Sequence, residues 1–132
     1  MSEHSTETGH CLCGLVTFKA PRANHSVNAC HCDMCRRWGG GVFMARGCDR
    51  EVEFSGVEHI EVFDSSAWAE RGFCKRCGSH LFYRLKDSGE YEVPAGLFDS
   101  MPKDLSFALQ VYIGKKPDFC GFAEQTDTTS EQ

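Results

Sequence analysis

Seven of the nine cysteines in this 132-residue chain fall in three tight clusters: Cys11-Leu12-Cys13-Gly14, Cys30-His31-Cys32-Asp33-Met34-Cys35 and Cys74-Lys75-Arg76-Cys77-Gly78. A C-x₂-C knuckle turns sharply enough to aim two sulfurs at one ion, and a glycine after it accepts the positive φ such a turn asks for. C-x-C does the same from an extended segment, because residues two apart share a face of a strand. Two such pairs make a closed, tetrahedral four-thiolate site. The middle cluster is different in kind, since one local turn brings Cys30, Cys32 and Cys35 to one ion and leaves the fourth position to an outside ligand. Three thiolates on Zn²⁺ make a net negative centre, a poor Lewis acid for activating water and a good holder of an incoming thiolate. The chemistry it favours is that of sulfur. Spacing leaves the pairing open, because Cys32–Cys35 with Cys74–Cys77 would also form a ribbon-like site and leave Cys11, Cys13 and Cys30 over.

Other residues beside these clusters invite two readings each. Arg36 and Arg37 suit bidentate binding of a substrate carboxylate, or else neutralise the thiolate site and pair on the surface. His31 points away from its neighbouring cysteines in an extended segment, so a supporting role is expected rather than ligation. His80 and Trp68 read as packing residues. Cys48 and Cys120 read as small hydrophobes, with nothing to mark either as reactive. Asp64-Ser65-Ser66 has no base at a readable spacing and reads as a turn or strand end.

The elements that must position these residues are mostly β. Leu105 to Ile113 alternates strictly, and shorter period-2 runs occur at 15–19, 41–46, 51–54, 59–63 and 80–85, with another short one at Tyr91–Val93. Glycines and prolines punctuate them, including Pro21, Gly47, Gly56, Gly72, Gly78 and Gly89. Only Cys32–Trp38 and Ala95–Met101 are predicted to form a helical turn. The length suits one domain, expected over residues 9–122, with polar frayed tails at 1–8 and 123–132. A formal charge of −5, from 19 acids against 14 bases, disfavours nucleic acid and anionic membrane as partners. No apolar run is long enough to span a bilayer and no signal peptide is read, so a reducing, cytoplasmic setting is expected.

Three segments carry a family resemblance: Gly9-His10-Cys11-Leu12-Cys13-Gly14-Leu15-Val16-Thr17-Phe18, Cys30-His31-Cys32-Asp33-Met34-Cys35-Arg36-Arg37, and Arg71-Gly72-Phe73-Cys74-Lys75-Arg76-Cys77-Gly78-Ser79-His80-Leu81-Phe82. With Phe63-Asp64-Ser65-Ser66 and Pro94-Ala95-Gly96-Leu97-Phe98-Asp99 they resemble the glutathione-dependent formaldehyde-activating enzyme (GFA) family, from about Gly9 to Phe119. The resemblance implies a β-tent fold of short antiparallel sheets joined by zinc. It implies a structural zinc on Cys11, Cys13, Cys74 and Cys77 and a second, catalytic zinc on Cys30, Cys32 and Cys35. The activity implied is a carbon–sulfur lyase reaction that forms or breaks a thiol–aldehyde adduct such as S-hydroxymethylglutathione, with glutathione or a similar thiol and an aldehyde as small-molecule partners. Against it stands a zinc-stabilised interaction module without turnover. The sequence departs from the family pattern late in the chain, where Gln110 and Phe119 stand near places that often hold a histidine and a tryptophan.

Overall fold

The computed structural model describes residues 4–131 and folds them into two sheets. The smaller has the order β1-β2-β5, from β1 (His4–His10), β2 (Thr17–Asn24) and β5 (Glu53–Ser55). The larger has eight strands in the order β11-β10-β3-β4-β9-β8-β7-β6. Its strands are β3 (Ser26–Cys30), β4 (Phe43–Gly47), β6 (Ile60–Phe63), β7 (Ala69–Cys74), β8 (His80–Leu85), β9 (Tyr91–Pro94), β10 (Ser106–Val111) and β11 (Asp127–Thr128). One short helix, α1 (Asp33–Gly39), interrupts the strands, and the expected second helical turn is a 3₁₀ turn at Ala95–Leu97. The protein is thus mainly β, as expected, in the tent-like arrangement of two short sheets. Most pairings are antiparallel, but β10 runs parallel to both β3 and β11.

Two predicted tails behave differently where they are described. From His4 onward the N-terminal segment is the strand β1, whose backbone pairs with β2 along its length. Near the other end Asp127–Thr128 adds β11 to the edge of the large sheet. Polarity concealed both strands, because an edge strand with one face in water needs few apolar side chains. Residues 1–3 and 132 lie outside the described residues.

The core lies between the sheets. Phe18, Ala20 and Ala23 of β2 meet Cys48, Val93 and Phe98, and a second cluster gathers Cys11, Val16, Cys74, Leu81 and Phe82. Arg46 on β4 is wholly buried among them, with its guanidinium 4.4 Å from the centre of the Phe98 ring, its Nε donating to the Asn24 carbonyl, and Glu7 3.6 Å away. The opposite face of the large sheet follows from register. Cys30 pairs with Phe43 and Asn28 with Ala45, Gly47 pairs with Glu92, Glu92 with Tyr83, and Tyr83 with Arg71. Directly paired residues project from one face of a sheet, so this set lines a common surface. That surface is the wall of the site described next.

Candidate functional site

The first cysteine cluster forms where the two sheets meet. Cys11 and Cys13 occupy the turn after β1, Cys74 ends β7 and Cys77 lies in the turn that leads to β8. Cys11 Sγ lies 3.6 Å from Cys13 Sγ, which lies 3.8 Å from Cys74 Sγ. All four sulfurs are within 4.8 Å of one another, so this set could hold one metal ion. Gly78, with φ +77°, closes the C-x₂-C turn as its sequence position predicts. The Val16 amide donates to Cys11 Sγ, while Ser79 Oγ sits 3.2 Å from Cys77 Sγ and accepts the Leu12 amide. The pairing left open by spacing is resolved: Cys32 and Cys35 take no part in this cluster.

The second cluster, Cys30, Cys32 and Cys35, also has its sulfurs within 4.8 Å of one another. Cys30 ends β3, Cys32 caps α1 and Cys35 lies in the helix's first turn, buried. The cap explains why a helix as short as α1 starts there: Cys32 Sγ accepts the Cys35 amide, and Gly40 in the left-handed conformation ends the run. Thiols Cys30 and Cys35 donate toward Cys32 and hold its pKa far below the usual thiol range, aided by backbone amides of the first helical turn.

Arg71 supports this cluster from β7. Both terminal nitrogens donate to Cys35 Sγ at 3.6 Å, and the guanidinium lies 4.9 Å from the ring centres of Trp38 and of Tyr83. Trp38 in turn stacks on His80 at 3.9 Å, the packing role expected of that histidine. His31 turns to the other side, where its Nε2–H donates to Gln110 Oε1 at 2.8 Å and Gln110 Nε2 donates to Thr126 Oγ1. Gln110 thus braces the Cys30–Cys32 loop from behind. Phe119 is 91% exposed and takes no part.

A cavity of about 440 Å³ opens beside the second cluster. Cys30, Cys32 and Cys35 form one end, and its walls include Phe43, Ala45, Leu109, Val111, Tyr83 and Glu92. Trp68, read from sequence as packing, is half exposed and lines this cavity instead. Arg36 and Arg37 do not line it: both are exposed on α1, and Arg36 pairs with Asp33 at 3.8 Å. Helical geometry accounts for this, because Cys35 takes the inward face and the next two positions rotate away from it. Lys115 stands on the cavity wall and pairs with Asp33 at 3.4 Å.

Burial pushes the Tyr83 phenol up to about 12, partly offset by a hydrogen bond with Trp68. Cys48 is buried away from both clusters and burial pushes it up to about 12, so it stays a thiol. Ser65 and Ser66 bond the Ala69 backbone, as turn residues do. Arg71, Tyr83 and Glu92 were not singled out from sequence. Pairing across β7, β8 and β9 brings them together, and no local sequence pattern marks them. Among the described residues no helix is long and apolar enough to cross a membrane.

Comparison with known proteins agrees with this geometry. The family model for the glutathione-dependent formaldehyde-activating enzyme matches residues 6–115. An uncharacterized lyase of Schizosaccharomyces pombe is 36% identical over 119 residues, 89% of this chain and 86% of that protein. A putative glutathione-dependent formaldehyde-activating enzyme of Aspergillus flavus is 31% identical over 123 residues, 86% of this chain but 58% of that longer protein. The crystal structure of a Rhodobacter sphaeroides protein superposes with a TM-score of 0.62 at 21% identity, covering 76% of this chain and 98% of that one, and shares the fold. With a family match that spans both cysteine clusters and the strands that carry them, the chain belongs to the glutathione-dependent formaldehyde-activating enzyme family.

Proposed function

We propose that this protein is a zinc-dependent carbon–sulfur lyase that makes or breaks the adduct of glutathione, or a similar thiol, with a small aldehyde such as formaldehyde. The observation that carries the proposal is the meeting of three cysteine sulfurs at one end of a 440 Å³ cavity in a member of this family. The donor sets fit zinc. Sulfur separations of 3.6 and 3.8 Å in the four-cysteine cluster match the edge, about 3.8 Å, of a tetrahedron with zinc–sulfur bonds of about 2.3 Å. Cys11, Cys13, Cys74 and Cys77 would hold one ion with no position left over, and Cys30, Cys32 and Cys35 would hold the other. Zinc at the second site would supply a positive charge that favours a bound thiol in its ionised form.

The chain's own residues do the rest. Arg71 donates to Cys35 with both terminal nitrogens and keeps it fixed at the cavity end. The walls of Phe43, Ala45, Leu109 and Val111 hold thiol and aldehyde together and thin the water around them. In the forward direction a bond forms between the substrate sulfur and the carbonyl carbon, the carbonyl π bond breaks, and the proton lost from the thiol ends on the former carbonyl oxygen. The reverse reaction returns it. Nothing is oxidised or reduced.

The test is a pair of variants assayed for S-hydroxymethylglutathione formation above the spontaneous rate. Cys32→Ser keeps an oxygen able to cap α1, so it is expected to fold and to lose the zinc of the second site together with activity. Cys74→Ser is expected to lose the fold itself. Full activity in a folded, metal-depleted Cys32→Ser protein would sink the proposal, and equal unfolding of both variants would point to two purely structural sites.

A further inference from the structure

The cavity has a second polar end. Glu92 on β9 faces it from the ladder position between Gly47 on β4 and Tyr83 on β8. Among the described residues its carboxylate forms no hydrogen bond or ion pair; Ala45 and Tyr83 line the cavity beside it, and the bare backbone of Gly47 lies opposite it in the ladder. A side chain at position 47 would crowd it, since a Cβ there would stand 3.3 Å from Glu92 Oε2 and 2.8 Å from Asn24 Nδ2. Burial, reinforced by Glu90, pushes the Glu92 carboxyl up to about 7. A half-buried carboxylate with no cation beside it, facing a cavity, gains from a ligand that provides one.

Register fixes how far this group is from the cysteines. Cys30 pairs with Phe43 and Glu92 with Gly47, four residues further along β4. That is about 13 Å along the strand and about 10 Å across two strand spacings. Together these place the two Cα positions about 16 Å apart, and because both side chains project from one sheet face the sulfur and the carboxylate stay roughly that far apart across the cavity. Glu92 is therefore too far away to exchange a proton at a carbon bonded to the substrate sulfur. Its place is at the far end of the substrate.

We infer that Glu92 is a specificity-determining residue that accepts a primary ammonium group of the thiol substrate while the sulfur lies at Cys30, Cys32 and Cys35. An ammonium about eight covalent bonds from the sulfur reaches roughly 10 Å when extended, the γ-glutamyl arm of glutathione has that span, and a contact of about 3 Å at each end completes the distance from the cysteines to Glu92. The cations near the cavity agree with this direction of binding. Arg71 is committed to Cys35, and Lys115, paired with Asp33, stands by α1 at the cysteine end. A carboxylate of the substrate finds its partner at that end, and the amine finds Glu92 at the other.

This inference rests on the thiol reading of the site, and the test separates the two. Zinc-loaded wild type and Glu92→Gln are titrated calorimetrically with glutathione, with its amine-blocked N-acetyl derivative and with S-methylglutathione, which keeps the amine and lacks the thiol. Wild type is expected to prefer glutathione over the N-acetyl derivative by about tenfold or more. In Glu92→Gln that preference falls to about twofold or less through loss of glutathione affinity, with the N-acetyl derivative unchanged. An equal preference in both proteins, no preference in wild type, or no binding of any of the three overturns the assignment of Glu92. If S-methylglutathione binds wild type as tightly as glutathione and loses affinity in Glu92→Gln, the ammonium site stands and the thiolate reading falls.

Discussion

The two groups that most shape this site, Arg71 and Glu92, are polar residues on the same sheet face, and each is open to a direct test. Arg71 acts through Cys35, so it is a positioning residue for the second cluster. Arg71→Met removes both N–H donors while keeping an apolar filler between Trp38 and Tyr83. Losses of this kind beside a metal ligand typically weaken binding about 10- to 100-fold. Competition with a chromogenic chelator should show that loss for one of two zinc equivalents, with Arg71→Lys intermediate; an unchanged affinity would mean that the guanidinium only packs. Glu92 leaves a signature in stability instead. Its carboxyl is raised from 4.5 to about 7 in the folded protein, so the fold binds this proton more tightly than the unfolded chain does. The stabilisation is full below pH 4.5 and is lost as pH rises through 7. Wild type should therefore lose stability relative to Glu92→Gln across that window, by up to about 3 kcal/mol. Denaturant melts of both proteins at pH 5 and pH 8 measure the difference, and parallel pH curves would show that the carboxyl is not raised.

At the scale of elements, the legible parts of the fold were those in which one face meets the core and the other meets water. β8 spans the predicted His80–Leu85, and β4, β6 and β10 fall within two residues of the alternating runs. α1 is displaced by one residue, because Cys32 serves as its cap. Hidden elements had both faces engaged or neither apolar. β7 reads Ala-Glu-Arg-Gly-Phe-Cys, with Arg71 toward the cavity and Gly72 under a core ring, so no alternation survives. β2 runs through Pro21, a predicted breaker; the ladder with β1 shifts register there and pairing with β5 stops at Lys19, so no amide is missed. The cysteine clusters were legible because sulfurs able to share one ion come from residues at close, recognisable spacings in the chain. Arg71, Tyr83 and Glu92 were not, because three neighbouring strands bring them together and no local spacing records it. The close fit of β7 on β8 is testable at Gly72. A Cβ at that position would lie 2.3 to 2.4 Å from the Phe82 ring, so Gly72→Ala should destabilise by about 1–3 kcal/mol. Pairing it with Phe82→Leu should recover part of that loss in denaturant melts, whereas additive effects would show that the ring is not the obstacle.

Considered as a whole molecule, the two clusters sit at places of unequal mechanical consequence. The four-cysteine cluster joins the turn after β1 in the small sheet to the β7–β8 turn in the large one, and bridges residues 61 apart in sequence at Cys13 and Cys74. The three-cysteine cluster is local, within six residues at the start of α1. Its loss leaves the sheets joined. Metal that closes a long-range contact contributes directly to folding, whereas a local three-ligand site binds more weakly and can empty without unfolding. Stepwise chelation should therefore remove zinc in two stages. The first equivalent leaves with unchanged far-UV circular dichroism and with loss of the proposed activity. The second leaves together with cooperative loss of β structure, and its removal should lower the melting temperature by more than about 10 °C. Thiol accessibility separates the stages further: Cys30 and Cys32, both half-buried, become reactive in the first, and Cys11 and Cys74, both fully buried, only in the second. Release of both equivalents in one unfolding transition would mean that the second cluster also carries the fold, and would leave the cavity's cysteine end without independent chemistry.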